Sequence, residues 1–326
     1  MTESPVEPRV ASEIVAWLRD LGHEVDRLQP LAGDVSVRQY SRVHFVDGER
    51  AIAVRYPRAA REACRRYRRT TAWLEEIAVP VPRIRAADCR RGLMLLEDVG
   101  ARTLYESTPR ERDSLAAWFR QALRLADRIS RLPPGDVAAL NPPLDARLLR
   151  AELARTWTAF AEDATPPELM DPVQKLFDVL AARIAEETPR PCHRDFMVRN
   201  LVPVSPPPTL VVLDHQDLRL GPPLYDLASL LNDSLFLPGD LERELLAEAG
   251  VEDGVSRERF HRTAAQRTLK AMGTYAAAAA AGRRQHLPLL APTLERALTH
   301  LEALPEGRSL APGLRAAWSS RVLHCL

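Results

Sequence analysis

Near residue 100 a strand-rich region gives way to one dominated by the helical period, and that change constrains the fold more than any other feature. Before it, "VSVRQYSRVHFV" from Val35 alternates apolar and polar residues, Asp47-Gly48 is a hairpin signal, and "RAIAVRY" reads as the returning strand. A helix is expected ahead of this hairpin, because Val10, Ile14, Trp17, Leu18 and Leu21 recur at helical spacing before Gly22. After Pro57 the pattern is helical through "EACRRYRRTTAWLEEI"; "VPVPRI" breaks it, and "GLMLLEDVG" reads as a buried strand running into a turn. From Ala101 onward the helical period dominates, over residues 111–132, 145–162, 168–187, 241–250, 256–282 and 289–303. One exception interrupts it: "NLVPV", "SPPP" and "TLVVLD" read as two short strands joined by a proline turn. Strands gathered early and helices late predict an α+β protein, with a small β-rich lobe over residues 1–98 and a larger helical lobe over 99–326. The proline-rich stretches at 132–143 and 203–208 are too short for linkers, and there is no internal repeat.

Composition narrows the partners. A chain of 326 residues can bury a sizeable core, and its formal net charge of +1 gives no long-range field for nucleic acid or an anionic membrane. A small molecule is the expected partner. The start "MTESPVEPRV" lacks the basic and apolar blocks of a secretory signal, and the longest alanine run, Ala276 to Ala281, is a helical stretch far too short to span a bilayer. Cys64, Cys89, Cys192 and Cys325 are widely spaced with no C-x-x-C, suggesting neither a disulfide framework nor a zinc cage; a reducing cytoplasm is expected.

The chemistry concentrates in "PCHRDFMVRNL", Pro191 to Leu201, which holds one of only three asparagines in the chain. His193-Arg194-Asp195 followed by Asn200 matches H-R-D-x-x-x-x-N, the catalytic-loop pattern of protein kinases and related phosphotransferases. Phosphoryl transfer needs a carboxylate to orient the attacking hydroxyl and oxygen ligands for magnesium; Asp195 and Asn200 supply one each. Asp214, ending the strand "LVVLD", is placed by the returning hairpin to supply the second metal ligand. A neutral asparagine oxygen completes such a site where a third carboxylate would overcharge it.

The block from Pro191 to Asp233 resembles the aminoglycoside phosphotransferase and choline kinase superfamily, and more narrowly the bacterial anomeric kinases of N-acetylmuramate and N-acetylglucosamine. "LAGDVSVRQYSRV", "VPVPRI", "LMLLEDVG" and "QRTLKAMGTYA" extend the resemblance over most of the chain. It implies a protein kinase-like two-lobe fold, ATP and Mg2+ as cofactors, and an amino sugar as acceptor. It implies Asp195 as catalytic base or hydroxyl-orienting carboxylate, Asn200 and Asp214 as magnesium ligands, Asp217 as an assistant to the metal, and Asp226 as the brace of the catalytic loop. Adenine would bond to the backbone around Leu96, Glu97 and Asp98, beneath a phosphate-covering turn from Gly33 to Arg38 that includes Asp34 and Ser36. Two departures stand out. Lys175 and Lys270, the only lysines, both lie far from the third strand where kinases place a phosphate-gripping lysine, so Arg55 in "AIAVRYP" is the candidate replacement. On the following helix Tyr67 fills the usual acidic position, with Glu62 about a turn earlier.

Simpler readings stand beside these. His193 and His215 read as packed loop histidines, Asp226 could cap the helix "LASLLND", and Asp217 could be a solvated turn residue. The run "REACRRYRR" reads as a solvated helix face. Three alternatives to an amino-sugar kinase follow. The acidic stretch Asp240 to Gly254 would suit an aminoglycoside or amino-alcohol acceptor; the missing lysine would suit a nucleotide-binding pseudokinase; a hydrolase lacks both the G-x-S-x-G and H-E-x-x-H signatures.

Overall fold

The computed structural model describes residues 7–31, 38–109 and 111–325. The chain order begins α1 (Pro8–Asp20), β1 (Val25–Leu31), β2 (Gln39–Phe45), β3 (Arg50–Arg55), α2 (Arg61–Glu76), β4 (Ile84–Asp88) and β5 (Leu93–Glu97). It continues with α3 (Arg112–Ser130), α4 (Pro134–Ala138), α5 (Ala146–Thr156), α6 (Pro167–Ala185), β6 (Arg190–Cys192), β7 (Leu201–Val204), β8 (Thr209–Val212) and β9 (Arg219–Gly221). Helices α7 (Tyr225–Leu231), α8 (Gly239–Glu248), α9 (Gly254–Ala280), α10 (Leu287–Glu302) and α11 (Ala311–Cys325) complete it. These elements form two compact units: residues up to Arg102 joined by Val202–Asp217, and Thr103–Leu201 joined by Leu218 onward.

The first unit is an antiparallel five-stranded sheet in the order β1-β2-β3-β5-β4 with a helix on each face. Its register follows from the β2–β3 turn, where Gly48 at φ 88° donates its N–H to Phe45 O over 3.0 Å. Period-two alternation then sorts the side chains. Ala51 and Ala53 turn toward Val10, Ile14, Trp17 and Leu18 of α1, while Val54 and Tyr56 pack with Cys64 and Tyr67 of α2. Each large apolar side chain so buried stabilises the unit by roughly 1.5–3 kcal/mol. The β7–β8 pair belongs to this unit and is held by Val212 N–H donating to Pro80 O at 2.8 Å.

Cysteine pairing departs from the sequence expectation: Cys64 and Cys89 form a disulfide with their Cα atoms 5.6 Å apart. The cause is tertiary. Packing of α2 on the sheet brings its first turns over the β4–β5 turn, a proximity that a spacing of 25 residues does not announce. Cys192 is a buried free thiol, its pKa pushed well up by burial.

In the second unit α5, α6, α9, α10 and α11 share one core containing Leu153, Phe177, Leu269, Met272, Leu298 and Trp318. Helix α11 lies beyond the helical stretches read from the sequence; proline is tolerated in a first helical turn, where Pro312 stands, and Leu314, Trp318 and Val322 then recur at helical spacing and are buried. Gly273 marks the closest approach of α9 to α5, where a Cβ would lie 2.5 Å from Thr156 Cα. Among the described residues no helix is long and apolar enough to cross a membrane.

Candidate active site

The loop from His193 to Asn200 leaves β6, whose residues Arg190 and Cys192 face Gly221 and Arg219 of β9. Asp226, buried in the first turn of α7, ties the loop down: its carboxylate accepts from His193 N–H at 2.7 Å and from Arg194 N–H at 2.9 Å. Burial raises the Asp226 pKa; the two N–H donors and nearby His193 oppose that rise. Arg194 takes the left-handed backbone conformation at φ 79°, uncommon for a side chain of this size. Its guanidinium donates to the fully buried Glu152 at 2.9 Å, so backbone and side chain are both pinned where the strain falls.

Asp195 follows at once. Asn200 Nδ2 donates to the Asp195 carbonyl oxygen at 2.8 Å, which commits the amide nitrogen and orients the amide oxygen away from that carbonyl. The Asp195 carboxylate accepts from Lys270 Nζ at 3.0 Å and lies 3.4 Å from Arg267 Nη2. Burial alone would raise its pKa, but Lys270, Arg267 and Arg194 outweigh burial and hold it well below the usual carboxylate range. Arg267 also donates to Ser229 Oγ at 2.9 Å and to Asp233 at 3.3 Å. Asp233 in turn accepts from Arg199 of the loop at 3.0 Å. Glu152, Asp233, Arg267 and Lys270 were not assigned from the sequence. For Arg267 and Lys270 the signal lies in α9, where Gln266, Arg267 and Lys270 interrupt the run "TAAQRTLKAMGTYA".

In the first unit Asp214 follows β8, also left-handed at φ 60°. Its Oδ1 accepts from Arg38 Nη2 at 2.7 Å and from Gln216 Nε2 at 3.0 Å. The Arg38 guanidinium lies over the Tyr40 ring at 5.8 Å from its centroid. His215 is a packed residue, as the sequence suggested: its Nδ1 shares a 2.7 Å hydrogen bond with the Thr70 hydroxyl and its ring lies 4.2 Å from that of Tyr67. Burial pushes the neighbouring Tyr56 phenol up to about 12. Asp217, half-buried, closes the same short turn.

The remaining assigned residues, among those described, occupy the sheet and its flanking helices. Arg55 pairs with Glu13 of α1 at 3.3 Å, on the sheet face of Ala51 and Ala53 rather than the α2 face of Tyr56. Glu62 is exposed and pairs with Arg65, while Tyr67 is buried against α2's face of the sheet. At the end of β5, Glu97 N–H donates to Arg83 O at 2.9 Å, and Asp98 accepts from Arg42 at 2.7 Å and from Gly100 N–H at 3.1 Å. Leu96 is buried in the α2-face cluster. Gly33, Asp34 and Ser36 lie outside the described residues.

Residues 27–261 match the phosphotransferase enzyme family (APH). The chain belongs to that family. It is 34% identical over 213 residues to an N-acetylmuramate/N-acetylglucosamine kinase of Pseudomonas aeruginosa, a match covering 64% of this chain and 60% of that one. Its alignment with the Pseudomonas putida protein of the same name is 30% identical and covers 76% of each chain. In fold, this phosphotransferase is similar to the choline kinase of Streptococcus pneumoniae, with a TM-score of 0.64 at 17% identity over 90% of this chain and 98% of that one. It is likewise similar to an aminoglycoside phosphotransferase in complex with GDP, with a TM-score of 0.66 at 16% identity over 87% and 96% of the two chains.

The candidate residues present oxygen donors, the kind a hard divalent cation takes. Among the described residues no cluster of three or more His, Cys, Asp or Glu side chains could cage a metal alone. The second unit carries an amide oxygen at Asn200, and the first carries carboxylates at Asp214 and Asp217; each is an oxygen donor of the kind magnesium takes. The Asp214 side chain is 35% exposed and therefore open to a ligand.

Proposed function

We propose that this phosphotransferase transfers the terminal phosphoryl group of ATP to the anomeric C1 hydroxyl of N-acetylmuramate or N-acetylglucosamine, in the recycling of cell-wall sugars in the cytoplasm. Asp195 orients the acceptor hydroxyl and takes its proton late. Asn200 and Asp214 hold Mg2+, with Asp217 assisting, and the backbone from Leu96 to Asp98 receives the adenine. Bound magnesium neutralises charge on the phosphoryl oxygens; alignment by the chain supplies most of the remainder.

One observation carries the choice of acceptor: Asp195 is surrounded by the cations Lys270, Arg267 and Arg194. A carboxylate held so acidic is a weak base, matched to a hemiacetal hydroxyl, which is more acidic than an ordinary alcohol. In the acidic stretch that would suit an aminoglycoside, Asp240 and Glu248 of α8 already accept from Arg112 and Arg120 of α3 at 3.1 and 2.7 Å. The names of the two Pseudomonas relatives point to the same acceptors.

The test is ATP-dependent ADP release on N-acetylmuramate, N-acetylglucosamine, methyl N-acetylglucosaminide and kanamycin. Turnover is expected on the two free sugars and not on the methyl glycoside, whose C1 oxygen is blocked. Turnover on kanamycin alone would overturn the acceptor. Tight nucleotide binding without turnover on any of them would favour the pseudokinase reading.

A further inference from the structure

The first unit must bind phosphate without a lysine, because Lys175 and Lys270 both belong to the second. Two arginines on the sheet could substitute, and the sheet separates them by face. Arg55 shares the α1 face with Ala51 and Ala53 and is engaged by Glu13. Arg38, immediately before β2, lies beside Tyr40 and Asp214; Tyr40 packs with Tyr56 and Tyr67 in the α2-face cluster. The Arg38 side chain is only 12% exposed, so its guanidinium is largely stripped of water while its partner carboxylate stays accessible. Desolvation strengthens whatever anion it holds.

The pairing also matches the charge pattern of a metal–polyphosphate chelate. Such a chelate presents a cation, which seeks a carboxylate, next to phosphate oxygens, which seek a planar multi-donor cation. Asp214 and Arg38 offer these two groups 2.7 Å apart. We infer that Arg38, not Arg55, grips the phosphates of the bound nucleotide, and that its ion pair with Asp214 is the ligand-free arrangement, exchanged for phosphate when a divalent cation takes the carboxylate. The inference rests on the proposed use of ATP with Mg2+.

Calorimetric titration of MgADP and of adenosine into wild type, Arg38→Gln, Arg38→Lys and Arg55→Gln tests it without any acceptor. A charge-assisted hydrogen bond contributes about 1.5–3 kcal/mol, so Arg38→Gln should weaken MgADP about 10- to 150-fold. Its adenosine affinity should stay within twofold, which also certifies the fold, and Arg38→Lys should recover part of the loss. Arg55→Gln should bind MgADP within twofold of wild type. Loss of MgADP affinity in Arg55→Gln with Arg38→Gln unaffected, or equal affinity in all variants, overturns the inference. A wild type that binds neither ligand removes the nucleotide reading itself, and the inference with it.

Discussion

Replacing Lys270 with methionine isolates the electrostatics of Asp195. The side chains are similar in length, so packing in α9 is largely kept while one charge 3.0 Å from the carboxylate is lost. Coulomb's law at that separation gives ~1.4 kcal/mol in water and ~5.5 kcal/mol at an effective dielectric constant of about 20. A quarter of the Asp195 side chain is exposed, which places the true value between these limits. The native Asp195 pKa is depressed, so the working carboxylate forms far on the acid side and the acid limb of kcat lies below the ordinary carboxylate range. Without Lys270 that limb must move up, by at least about one pH unit, since 1.36 kcal/mol corresponds to one unit. The basic side gives an independent check. Burial lowers the Lys270 pKa, with Arg267 and Arg194 adding to it against Asp195 and Glu152; wild type should therefore lose activity below the normal lysine value, and Lys270→Met should lack that limb. The acid limb is read by NMR titration of the Asp195 carboxyl, and the basic limb by coupled ADP release up to about pH 10 with the sugar that turns over. A Lys270→Met profile superimposable on wild type at both ends would refute the reasoning.

Other perturbations probe the frame. Asp226→Asn replaces a two-way acceptor with a group whose amide opposes one of the His193 and Arg194 N–H donors; kcat should fall about 100-fold with KM little changed, read in steady-state kinetics. Glu152→Gln leaves Arg194 and Lys270 without a fully buried carboxylate and should cost about 3–5 kcal/mol in urea unfolding. The Glu152 pKa is lowered because Lys270 and Arg194 outweigh burial, so its stabilising contribution exists above the unfolded carboxylate value and should fade as pH drops through the native one. Gly273→Ala drives a Cβ into Thr156 and should lower stability by about 1–3 kcal/mol in thermal melts. Reducing the Cys64–Cys89 bridge releases a loop of 25 residues and should cost about 3 kcal/mol, measured by urea unfolding with and without dithiothreitol.

The parts legible in the sequence are those set by local pattern. The Asp47-Gly48 turn, the alternation of β2 and β3 and the apolar stripes of α1 and α9 each follow from period and turn chemistry within a few residues. The loop motif was legible because its spacing is itself the chemistry: Asn200 reaches back to the Asp195 carbonyl across one tight turn. Residues whose role depends on which face of an element they occupy were not. Arg55 stands at the strand position that suggests a phosphate ligand, and its two-residue spacing from Ala53 and Ala51 sets it on the α1 face beside Glu13; the pattern "RAIAVR" records the alternation but not which helix covers which face. Lys270 failed the opposite test. It lies 75 residues beyond Asp195, on a helix whose composition advertises only packing, and reaches the carboxylate because α9 runs beside α5 and α7 in the helical core. A charge retained in such a run needs a buried counter-charge to offset its desolvation. The existence of a partner for Lys270 was therefore deducible from α9 alone; that the partner is Asp195 of the His193–Asn200 loop, and that its carboxyl is thereby held acidic, required the packing.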